Sequence, residues 1–474
     1  MSLKFGTSGL RGLSSDLEGP PAALYATAFA GHLLQSGLAR AGDAILVGRD
    51  FRPSSPAIAA IVIGALRQVG FEPFDCGTIP TPALALLGLK RRAASLMITG
   101  SHIPADRNGI KFYRPDGEIG KADEAAIMAI AESISAAGAI EASPAAAGDA
   151  SHEAEALFLE RYAGLLPSGT LKGLRIGVYQ HSTVARDLFV TLLTSLGAEC
   201  VALGRSDIFI PVDTEAVSAD TIDQLRRWVY EHRLDAIVSA DGDGDRPLVA
   251  DEAGIPLRGD LLGLIAANFL GADVVATPVT SNSGIEAAGR FKVLRTRVGS
   301  PFVIAAMEEA VANGAKAVVG FEANGGTLTA TPCTVNGKVL AALPTRDSFL
   351  PALAVLALAA ERGEPLSAVA SSFHLPVAAA DRLENYPIET SAPLMTMLRS
   401  GPGAVAAFLA PIGIPARISD IDGLRVTLAD KRIIHFRPSG NAPEMRCYVE
   451  AATDDAAQTL LHQGLTLIRD WAAR

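Results

Sequence analysis

Short apolar segments alternate with amphipathic segments along almost the whole chain, and this alternation restricts the fold more than any other feature. Strands that are separated by helices pair most simply as parallel neighbours, so the pattern predicts α/β layers with parallel or mixed sheets. The expected strands are residues 44–47, 94–98, 174–179, 234–239, 273–278 and 315–319, and the expected helices are 56–69, 184–196, 221–232 and 300–313.

Three seams divide the chain. A run of small residues at 135–150 reads as a helix end followed by a linker. A strand ends in a DEAG turn at 251–254, and a helix stops at ERGEP, 361–365. With 474 residues, about three or four domains are expected. The predicted division is 1–150, 151–255, 256–365 and 366–474. The last segment differs from the others, with paired strands at 424–428 and 433–436 and a closing helix at 455–473.

Composition excludes several classes of protein. A net charge of −10 without any run of Lys or Arg argues against a nucleic-acid partner. The four cysteines lie far apart without a CxxC pair, which favours neither a zinc site nor a disulfide framework and is typical of the reducing cytoplasm. No run of about 18 apolar residues predicts a membrane span. The N-terminus also lacks a signal-peptide pattern.

The sequence DGDGDR at 241–246 is the most specific chemical signal. Three carboxylates, Asp241, Asp243 and Asp245, alternate with glycines directly after an apolar strand, so a tight loop can turn all three toward one point. Hard divalent cations prefer such oxygen ligands. An EF-hand calcium loop is the alternative, but Arg246 stands where that loop needs glycine, and the flanks resemble strands. We therefore expect a catalytic Mg²⁺ loop with open coordination positions.

A second signal is TGSHIP at 99–104, which follows the predicted strand 94–98. Ser101 on a strand-to-loop turn, beside His102 and close in sequence to Lys111, is a candidate nucleophile with candidate proton carriers. Taken alone, such a turn is more often structural, and a lone histidine is more often a hydrogen-bonded bystander. The hydrolase signature GxSxG is absent.

A third signal is RPSGNAP at 437–443, followed by Arg446. A glycine-containing turn, a hydroxyl and guanidinium groups together form an anion nest, although a plain turn with a surface arginine fits the segment equally well. Neither a Walker A motif nor GxGxxG occurs, so nucleotide binding lacks its usual signature.

Read together, these segments resemble the α-D-phosphohexomutase family, which includes phosphomannomutases, phosphoglucomutases and phosphoglucosamine mutases. The resemblance covers nearly the whole chain. Its motifs, in order, are FGTSGLRG at 5–12, GRDFRPSS at 48–55, TGSHIP at 99–104, DGDGDR at 241–246, EANGG at 322–326 and RPSGNAP at 437–443.

The resemblance implies a fold and a set of roles. The fold would be three α/β domains and a C-terminal TATA-binding-protein-like domain around a central cleft. The activity would be an isomerase of carbohydrate metabolism that interconverts hexose 1-phosphate and hexose 6-phosphate through a phosphoserine and a hexose 1,6-bisphosphate, which also acts as activator. The implied catalytic residues are Ser101, His102, Lys111, Arg11 and Arg246, with Lys111 and His102 both open as general base. The implied ligands of one Mg²⁺ are Asp241, Asp243, Asp245 and an oxygen of phosphorylated Ser101. The implied substrate-binding residues are Glu322, Asn324, Arg437, Ser439, Gly440, Asn441 and Arg446.

Three departures from the family pattern bear on the substrate. Ile103 replaces an asparagine, Asn324 and Gly326 replace the usual Ser and His of the sugar loop, and 441–442 read Asn-Ala where Thr-Glu is usual. They argue against phosphoglucosamine mutase and favour mannose phosphate, with glucose phosphate also used. A catalytically silent sugar-phosphate sensor on the same fold is the alternative from another class. No obligatory protein partner is inferred.

Overall fold

The first segment folds around a mixed sheet. The computed structural model describes residues 3–6, 9–138, 140–141, 143–439 and 443–473. The strands run in the order β1-β2-β6-β5-β3-β4-β8, with β7 on β6. They are β1 (Lys4–Gly6), β2 (Gly9–Leu13), β3 (Ala44–Arg49), β4 (Glu72–Thr78), β5 (Ala94–Ile98), β6 (Arg107–Arg114), β7 (Gly117–Glu118) and β8 (Gly148–Asp149), and the helices are α1 (Ser14–Leu17), α2 (Pro20–Gln35), α3 (Ser55–Gln68), α4 (Thr81–Arg91) and α5 (Lys121–Ala137).

Strand β5 shows why this sheet forms. All five of its residues are buried, and it lies between parallel β3 and antiparallel β6. A strand that is covered on both faces must be apolar throughout, which the sequence ASLMI nearly satisfies. The chain therefore leaves the sheet at the end of β5 with a fixed direction, and residues 99–104 begin there.

The second segment places the acidic loop at a strand end. Its sheet order is β10-β9-β11-β12, with β9 and β11 parallel and β12 antiparallel to β11. Residues 241–246 connect β11 to β12. The elements are α6 (Ser151–Tyr162), β9 (Arg175–Tyr179), α7 (Arg186–Ser195), β10 (Glu199–Leu203), α8 (Ala219–His232), β11 (Ala236–Ala240) and β12 (Pro247–Ala250).

The third segment is again a mixed sheet, ordered β14-β13-β15-β16-β19, with a separate hairpin of β17 and β18. The motif 322–326 lies between β15 and β16. The elements are α9 (Gly259–Phe269), β13 (Val274–Pro278), α10 (Ile285–Ala288), β14 (Lys292–Thr296), α11 (Ser300–Ala312), β15 (Val318–Phe321), β16 (Thr327–Thr329), β17 (Cys333–Val335), β18 (Lys338–Leu340), β19 (Leu343–Asp347) and α12 (Phe349–Arg362). The first helix of the last segment, α13 (Leu366–Ser371), packs on the same core as these elements.

One hydrophobic core joins these three segments. Phe349 of α12 stacks on Phe189 of α7 with ring centroids 3.9 Å apart, and it meets Phe158 of α6 edge-on at 4.9 Å. All three rings are fully buried. Aromatic pairs of this kind add to the free energy of burial and fix the relative orientation of the elements that carry them. The loops that follow β5, β11 and β15 are therefore held in one frame.

The last segment has a different architecture and its own core. Its antiparallel sheet is ordered β20-β24-β23-β22-β21, and helices cover the apolar face. This arrangement confirms the expected C-terminal domain of TATA-binding-protein-like shape. The elements are β20 (Val377–Leu383), α14 (Ile388–Arg399), α15 (Pro402–Leu409), β21 (Pro415–Ser419), β22 (Leu424–Leu428), β23 (Ile433–Pro438), β24 (Met445–Ala451) and α16 (Asp454–Ala472).

The predicted α/β architecture is confirmed, while two details differ. The strand expected at 315–319 is shifted to Val318–Phe321, because Asp273 accepts hydrogen bonds from the amides of Lys316 and Ala317 and holds them in a turn. The linker at 135–150 contains β8, which pairs with β4. The four-way division of the chain stays a prediction. Within the described ranges, the helices lack the combination of length and apolar character that crossing a bilayer requires.

A buried histidine supports the acidic loop. His181 is fully buried, and its Nε2 lies 2.9 Å from the carbonyl oxygen of Ala240, the last residue of β11. Burial, with the nearby Arg186 guanidinium, lowers the pKa of His181 from 6.5 to about 4. The unfolded chain therefore binds a proton at this residue between pH 6.5 and 4, whereas the folded chain does not, and stability is lost as the pH falls through that window.

We predict that His181→Gln flattens the pH dependence of thermal unfolding between pH 6.5 and 4. The pH-dependent loss that it removes is on the order of 3 kcal/mol, since each unit of pKa shift corresponds to about 1.4 kcal/mol. The exposed His152 provides the control substitution His152→Gln. Unfolding curves from pH 8 to 4 that have the same slope in His181→Gln and in the wild type would contradict this assignment.

Candidate active site

Three fully buried carboxylates form the centre of the site. Asp241, Asp243 and Asp245 are 0% exposed, and one oxygen of each lies within 4.8 Å of the others. Gly244 gives the loop its tight turn with a φ of 70°. The amides of Asp245 and Arg246 both donate to Asp241 Oδ1 at 3.1 Å. The sequence expectation that the loop turns its carboxylates toward one point is therefore met.

The remaining carboxylate oxygens are only partly paired. Asp243 Oδ2 accepts from Thr81 Oγ1 and from Lys111 Nζ, both at 2.5 Å, and Asp245 Oδ2 also accepts from Lys111 Nζ at 2.5 Å. The Oδ1 atoms of Asp243 and Asp245 are buried without a hydrogen-bond partner. Buried, unpaired carboxylate oxygens are costly unless a cation engages them. These residues fit a hard metal ion.

Burial and crowding set the charges in this cluster. Burial, followed by repulsion from Asp243 and Asp245, raises the pKa of Asp241 to about 8. Burial also acts to raise the pKa of Asp245, but Arg346 and Lys111 outweigh it and lower that pKa. Nearby cations thus keep Asp245 ionised, whereas Asp241 carries its charge less readily.

Ser101 lies against this cluster in a strained backbone conformation. Its φ is 55°, in the left-handed region that few serines adopt. The Ser101 amide donates to Thr99 Oγ1 at 2.7 Å, and Ser101 Oγ donates to Asp241 Oδ2 at 2.5 Å. The hydroxyl is therefore aimed at the acidic loop of the second segment.

Arg52 holds the loop that carries Ser101. The Arg52 side chain is buried and pairs with Asp50, with an Nε–Oδ2 distance of 3.1 Å. A side chain at Gly100 would meet Arg52 Cζ at 2.6 Å, so glycine is required for this close approach. The guanidinium donates to the backbone carbonyls of Ser101, Ile103, Pro104 and Arg107 at 2.6 to 2.9 Å. Four bonds to one buried cation fix the loop.

His102 is held as a neutral imidazole. Its Nδ1 lies 3.2 Å from Ser101 Oγ and 3.0 Å from a guanidinium nitrogen of Arg246. Since the guanidinium can only donate, Nδ1 accepts from Arg246. Burial and the Arg246 charge lower the pKa of His102 to about 3. Arg11 belongs to the same cluster, where burial and repulsion from Arg246 lower its pKa to about 10.

Glu322 and Asn324 lie in the loop after β15. Glu322 Oε2 accepts from Arg346 at 3.0 Å, and Arg346 also contacts Asp245. Asn324 Oδ1 accepts from the Gly326 amide at 3.0 Å, which closes the loop on itself. The sugar-recognition loop that the sequence suggested is thus tied to the acidic loop through Arg346.

The phosphate motif lies at the end of β23 on the C-terminal sheet. Arg437 Nε is 3.0 Å from Asp422 Oδ1 in an ion pair, and Arg446 pairs with Glu444 at 3.3 Å. Arg437 and Arg446 are direct cross-strand neighbours on β23 and β24. The Ser439 amide donates to the Glu444 carbonyl at 2.9 Å. Gly440 and Asn441 lie outside the described residues.

The predicted residues thus form two groups. The first group converges on the acidic loop and contains Ser101, His102, Lys111, Arg11, Arg246, Asp241, Asp243 and Asp245, with Glu322 joined through Arg346. The second group, Arg437, Ser439 and Arg446, lies on the C-terminal sheet. Sequence reasoning missed Arg52, Thr81 and Arg346. The motif at 48–55 pointed toward Arg52, whereas no local motif marked Thr81 or Arg346.

Known proteins match this chain over nearly its whole length. Three family models match the chain: phosphoglucomutase/phosphomannomutase alpha/beta/alpha domain I at residues 2–138, domain III at 258–375 and the C-terminal domain at 394–465. A phosphomannomutase of Sinorhizobium fredii (strain NBRC 101917 / NGR234) is 57% identical, with 99% of each chain covered. A phosphomannomutase of Salmonella muenchen is 42% identical over 100% of this chain and 97% of its own.

Phosphoglucosamine mutases match less closely, at 28% identity for one from Methylobacterium nodulans. Among solved structures, a phosphoglucomutase/phosphomannomutase family protein from Burkholderia thailandensis has the same fold, with a TM-score of 0.76 and 20% identity over 98% of this chain and 97% of its own. The full-length relatives and the three domain matches agree with the architecture described above. The chain therefore belongs to the phosphoglucomutase/phosphomannomutase family and is a phosphohexomutase, an intramolecular phosphotransferase of the isomerase class.

Proposed function

We propose that this phosphohexomutase interconverts hexose 1-phosphate and hexose 6-phosphate through phosphorylated Ser101, with mannose phosphate preferred and glucose phosphate also used. The observation that carries the proposal is the hydrogen bond of 2.5 Å from Ser101 Oγ to Asp241 in a buried triad of carboxylates. A nucleophilic hydroxyl that is held against a cation-binding loop is the arrangement that phosphoryl transfer needs.

Asp241, Asp243 and Asp245 would hold one Mg²⁺ together with an oxygen of phosphorylated Ser101. The Oδ1 atoms of Asp243 and Asp245, which are buried without a hydrogen-bond partner, support this assignment, since Mg²⁺ prefers carboxylate oxygens. When bound, Mg²⁺ supplies charge neutralisation for the phosphoryl group in transfer. Thr81 and Lys111 orient the other oxygens of the same carboxylates.

The reaction divides into two in-line transfers. In the first, the bond between phosphorus and Ser101 Oγ breaks, a new bond to the free sugar hydroxyl forms, and the hydroxyl proton passes to a base on the enzyme. The product is a hexose 1,6-bisphosphate. After this intermediate reorients, the bond between its other phosphorus and the sugar oxygen breaks, a bond from that phosphorus to Ser101 Oγ forms, and the released sugar oxygen takes the proton from the base. A direct transfer between O1 and O6 of the sugar is not possible, because the two oxygens lie too far apart. It is replaced by two transfers through a covalent phosphoenzyme.

Lys111 is the better candidate for the base. His102 has a pKa of about 3, and a proton on its Nδ1 would face the Arg246 cation, so it accepts a proton poorly. We assign His102 and Arg246 to positioning Ser101. Lys111 Nζ lies 2.5 Å from both Asp243 Oδ2 and Asp245 Oδ2, which places the amine directly beside the acidic loop.

The remaining predicted residues would bind the sugar and the distal phosphate. Glu322 and Asn324 would contact sugar hydroxyls, since they lie in a loop that is tied to the acidic centre. The distal phosphate would be held by Arg437, Ser439, Gly440, Asn441 and Arg446. Asp422 pairs with Arg437 and must share that guanidinium with the incoming phosphate.

The cytoplasm is the proposed compartment, because all four cysteines are free thiols and three of them are buried. The expected ligand is the hexose phosphate, without a nucleic acid or an obligatory protein partner.

The decisive experiment replaces the nucleophile. We expect Ser101→Ala to lower mutase turnover by a factor on the order of 10³ or more, because no enzyme oxygen remains to carry the phosphoryl group. Ser95→Ala is the matched control, since Ser95 is buried on β5 of the same sheet and its hydroxyl has no hydrogen-bond partner. Hexose 1,6-bisphosphate should activate dephosphorylated wild type and add one phosphate to its intact mass. Near-normal turnover in Ser101→Ala would refute the proposal.

Substrate preference is tested by a coupled assay on mannose 1-phosphate, glucose 1-phosphate and glucosamine 1-phosphate. We expect kcat/KM for mannose 1-phosphate to exceed that for glucose 1-phosphate by roughly 10-fold. Epimers are separated strongly only where a buried group pairs with the hydroxyl that differs. A clear preference for glucosamine 1-phosphate would overturn the assignment.

The role of Arg437 is tested by Arg437→Ala. The loss of a charge-assisted contact to the distal phosphate should cost about 1.5–3 kcal/mol, or roughly 10- to 150-fold in kcat/KM. Arg432→Ala is the control, because Arg432 lies in the turn between β22 and β23 and pairs with Asp430 at 2.7 Å. Equal kinetics for both variants would show that another group holds the phosphate.

A further inference from the structure

Arg346 is the buried cation that joins two functional loops. It lies on β19 and is 1% exposed. Its Nε and one terminal nitrogen lie 3.0 and 2.9 Å from Asp245 Oδ2, and its other terminal nitrogen donates to Glu322 Oε2 at 3.0 Å. One planar guanidinium thus spans a carboxylate of the acidic loop and the carboxylate of the sugar loop.

Only arginine provides this bridge. A guanidinium presents several donors in a rigid fork, whereas a lysine ammonium is a point charge on a flexible stem. Burial lowers the pKa of Arg346, but Asp245 and Glu322 outweigh burial and hold that pKa well above its ordinary value. Arg346 is therefore a permanent positive charge beside Asp245.

The sugar loop is shaped to admit this side chain. A Cβ at Gly326 would lie 2.7 Å from both Cγ and Cδ of Arg346 and 2.9 Å from its Cβ. Contacts under about 3 Å are essentially never found for real side chains, so any other residue at 326 displaces Arg346. Gly326 is one of the positions at which the loop departs from the family pattern, and the departure is matched by the arginine that fills the space.

We propose that Arg346 is a positioning residue of the phosphohexomutase site, which fixes Glu322 for the sugar and, through its charge beside Asp245, weakens the hold of the acidic loop on its metal ion. The inference rests on the proposed function for the role of Glu322. Its effect on the metal site depends only on charge. Lys111 continues to orient Asp245 when Arg346 is removed, so the loss of repulsion dominates metal affinity.

The test compares Arg346→Met with Arg346→Lys in the full chain. For Arg346→Met we expect roughly 10-fold tighter Mg²⁺ binding in calorimetric titration of the metal alone, and a KM for hexose phosphate that rises roughly 10-fold with a smaller change in kcat. Arg346→Lys keeps the charge and loses the fork, so it should restore wild-type metal affinity but not KM. Exposed Arg227→Met is the control. A general loss of structure would instead weaken both ligands in both variants.

Gly326→Ala keeps the inference testable if Arg346→Met fails to fold. The added methyl displaces the guanidinium without removing its charge, so KM should rise while Mg²⁺ affinity stays within about 2-fold of wild type. Weaker Mg²⁺ binding in Arg346→Met would overturn the inference. So would a KM for hexose phosphate that is unchanged in both Arg346→Met and Gly326→Ala. Wild-type protein without mutase activity would refute the proposed function, while the titrations would still decide the effect of Arg346 on the metal site.

Discussion

The burial of the acidic loop is the constraint on which the rest of the structure depends. Three carboxylates without solvent exposure are unstable unless cations and donors surround them. Donors from all three α/β segments also hold the backbone of this loop: Thr81 donates its amide to the Asp243 carbonyl, Thr183 donates its hydroxyl to the Asp241 carbonyl, and Ser348 donates its hydroxyl to the Gly244 carbonyl, at 2.6 to 2.9 Å. The acidic loop therefore acts as the joint between these segments as well as the centre of the site.

Charge in the cluster is arranged for chemistry rather than for stability alone. Lys111 donates to Oδ2 of both Asp243 and Asp245, Arg346 donates to Asp245 Oδ2, and the two Oδ1 atoms are without a hydrogen-bond partner. Replacing such a cluster with apolar residues often stabilises a protein, so its presence indicates selection for function. The left-handed conformation of Ser101 also indicates selection for function. Arg52, through its four contacts with backbone carbonyls, maintains a strained turn that aims the Ser101 hydroxyl at Asp241.

The C-terminal domain is attached in another way. It has its own apolar core, and its contacts with the third segment are largely polar: Glu450 accepts from Ser283, Pro376 from Asn282 and Asp422 from the Val298 amide. Polar interfaces of this kind separate more readily than a shared core. In the proposed mechanism the bisphosphate reorients between two transfers, and a displacement of the sheet that carries Arg437 would leave the core beneath the acidic loop intact, because the two cores are separate.

The role of a residue could be predicted where the residues next to it in the sequence indicate that role. The DGDGDR loop and the Ser101 turn follow apolar strands, so their positions at strand ends could be predicted, and the strands themselves were located to within a few residues. Arg346 could not be predicted in this way, because its partners Asp245 and Glu322 are distant in sequence and are brought together only by the packing of two sheets. The only local sign of Arg346 in the sequence was the absence of a side chain at position 326. Gly326 was visible as a departure from the family pattern, but its meaning, space for an arginine from another strand, exists only in the folded chain.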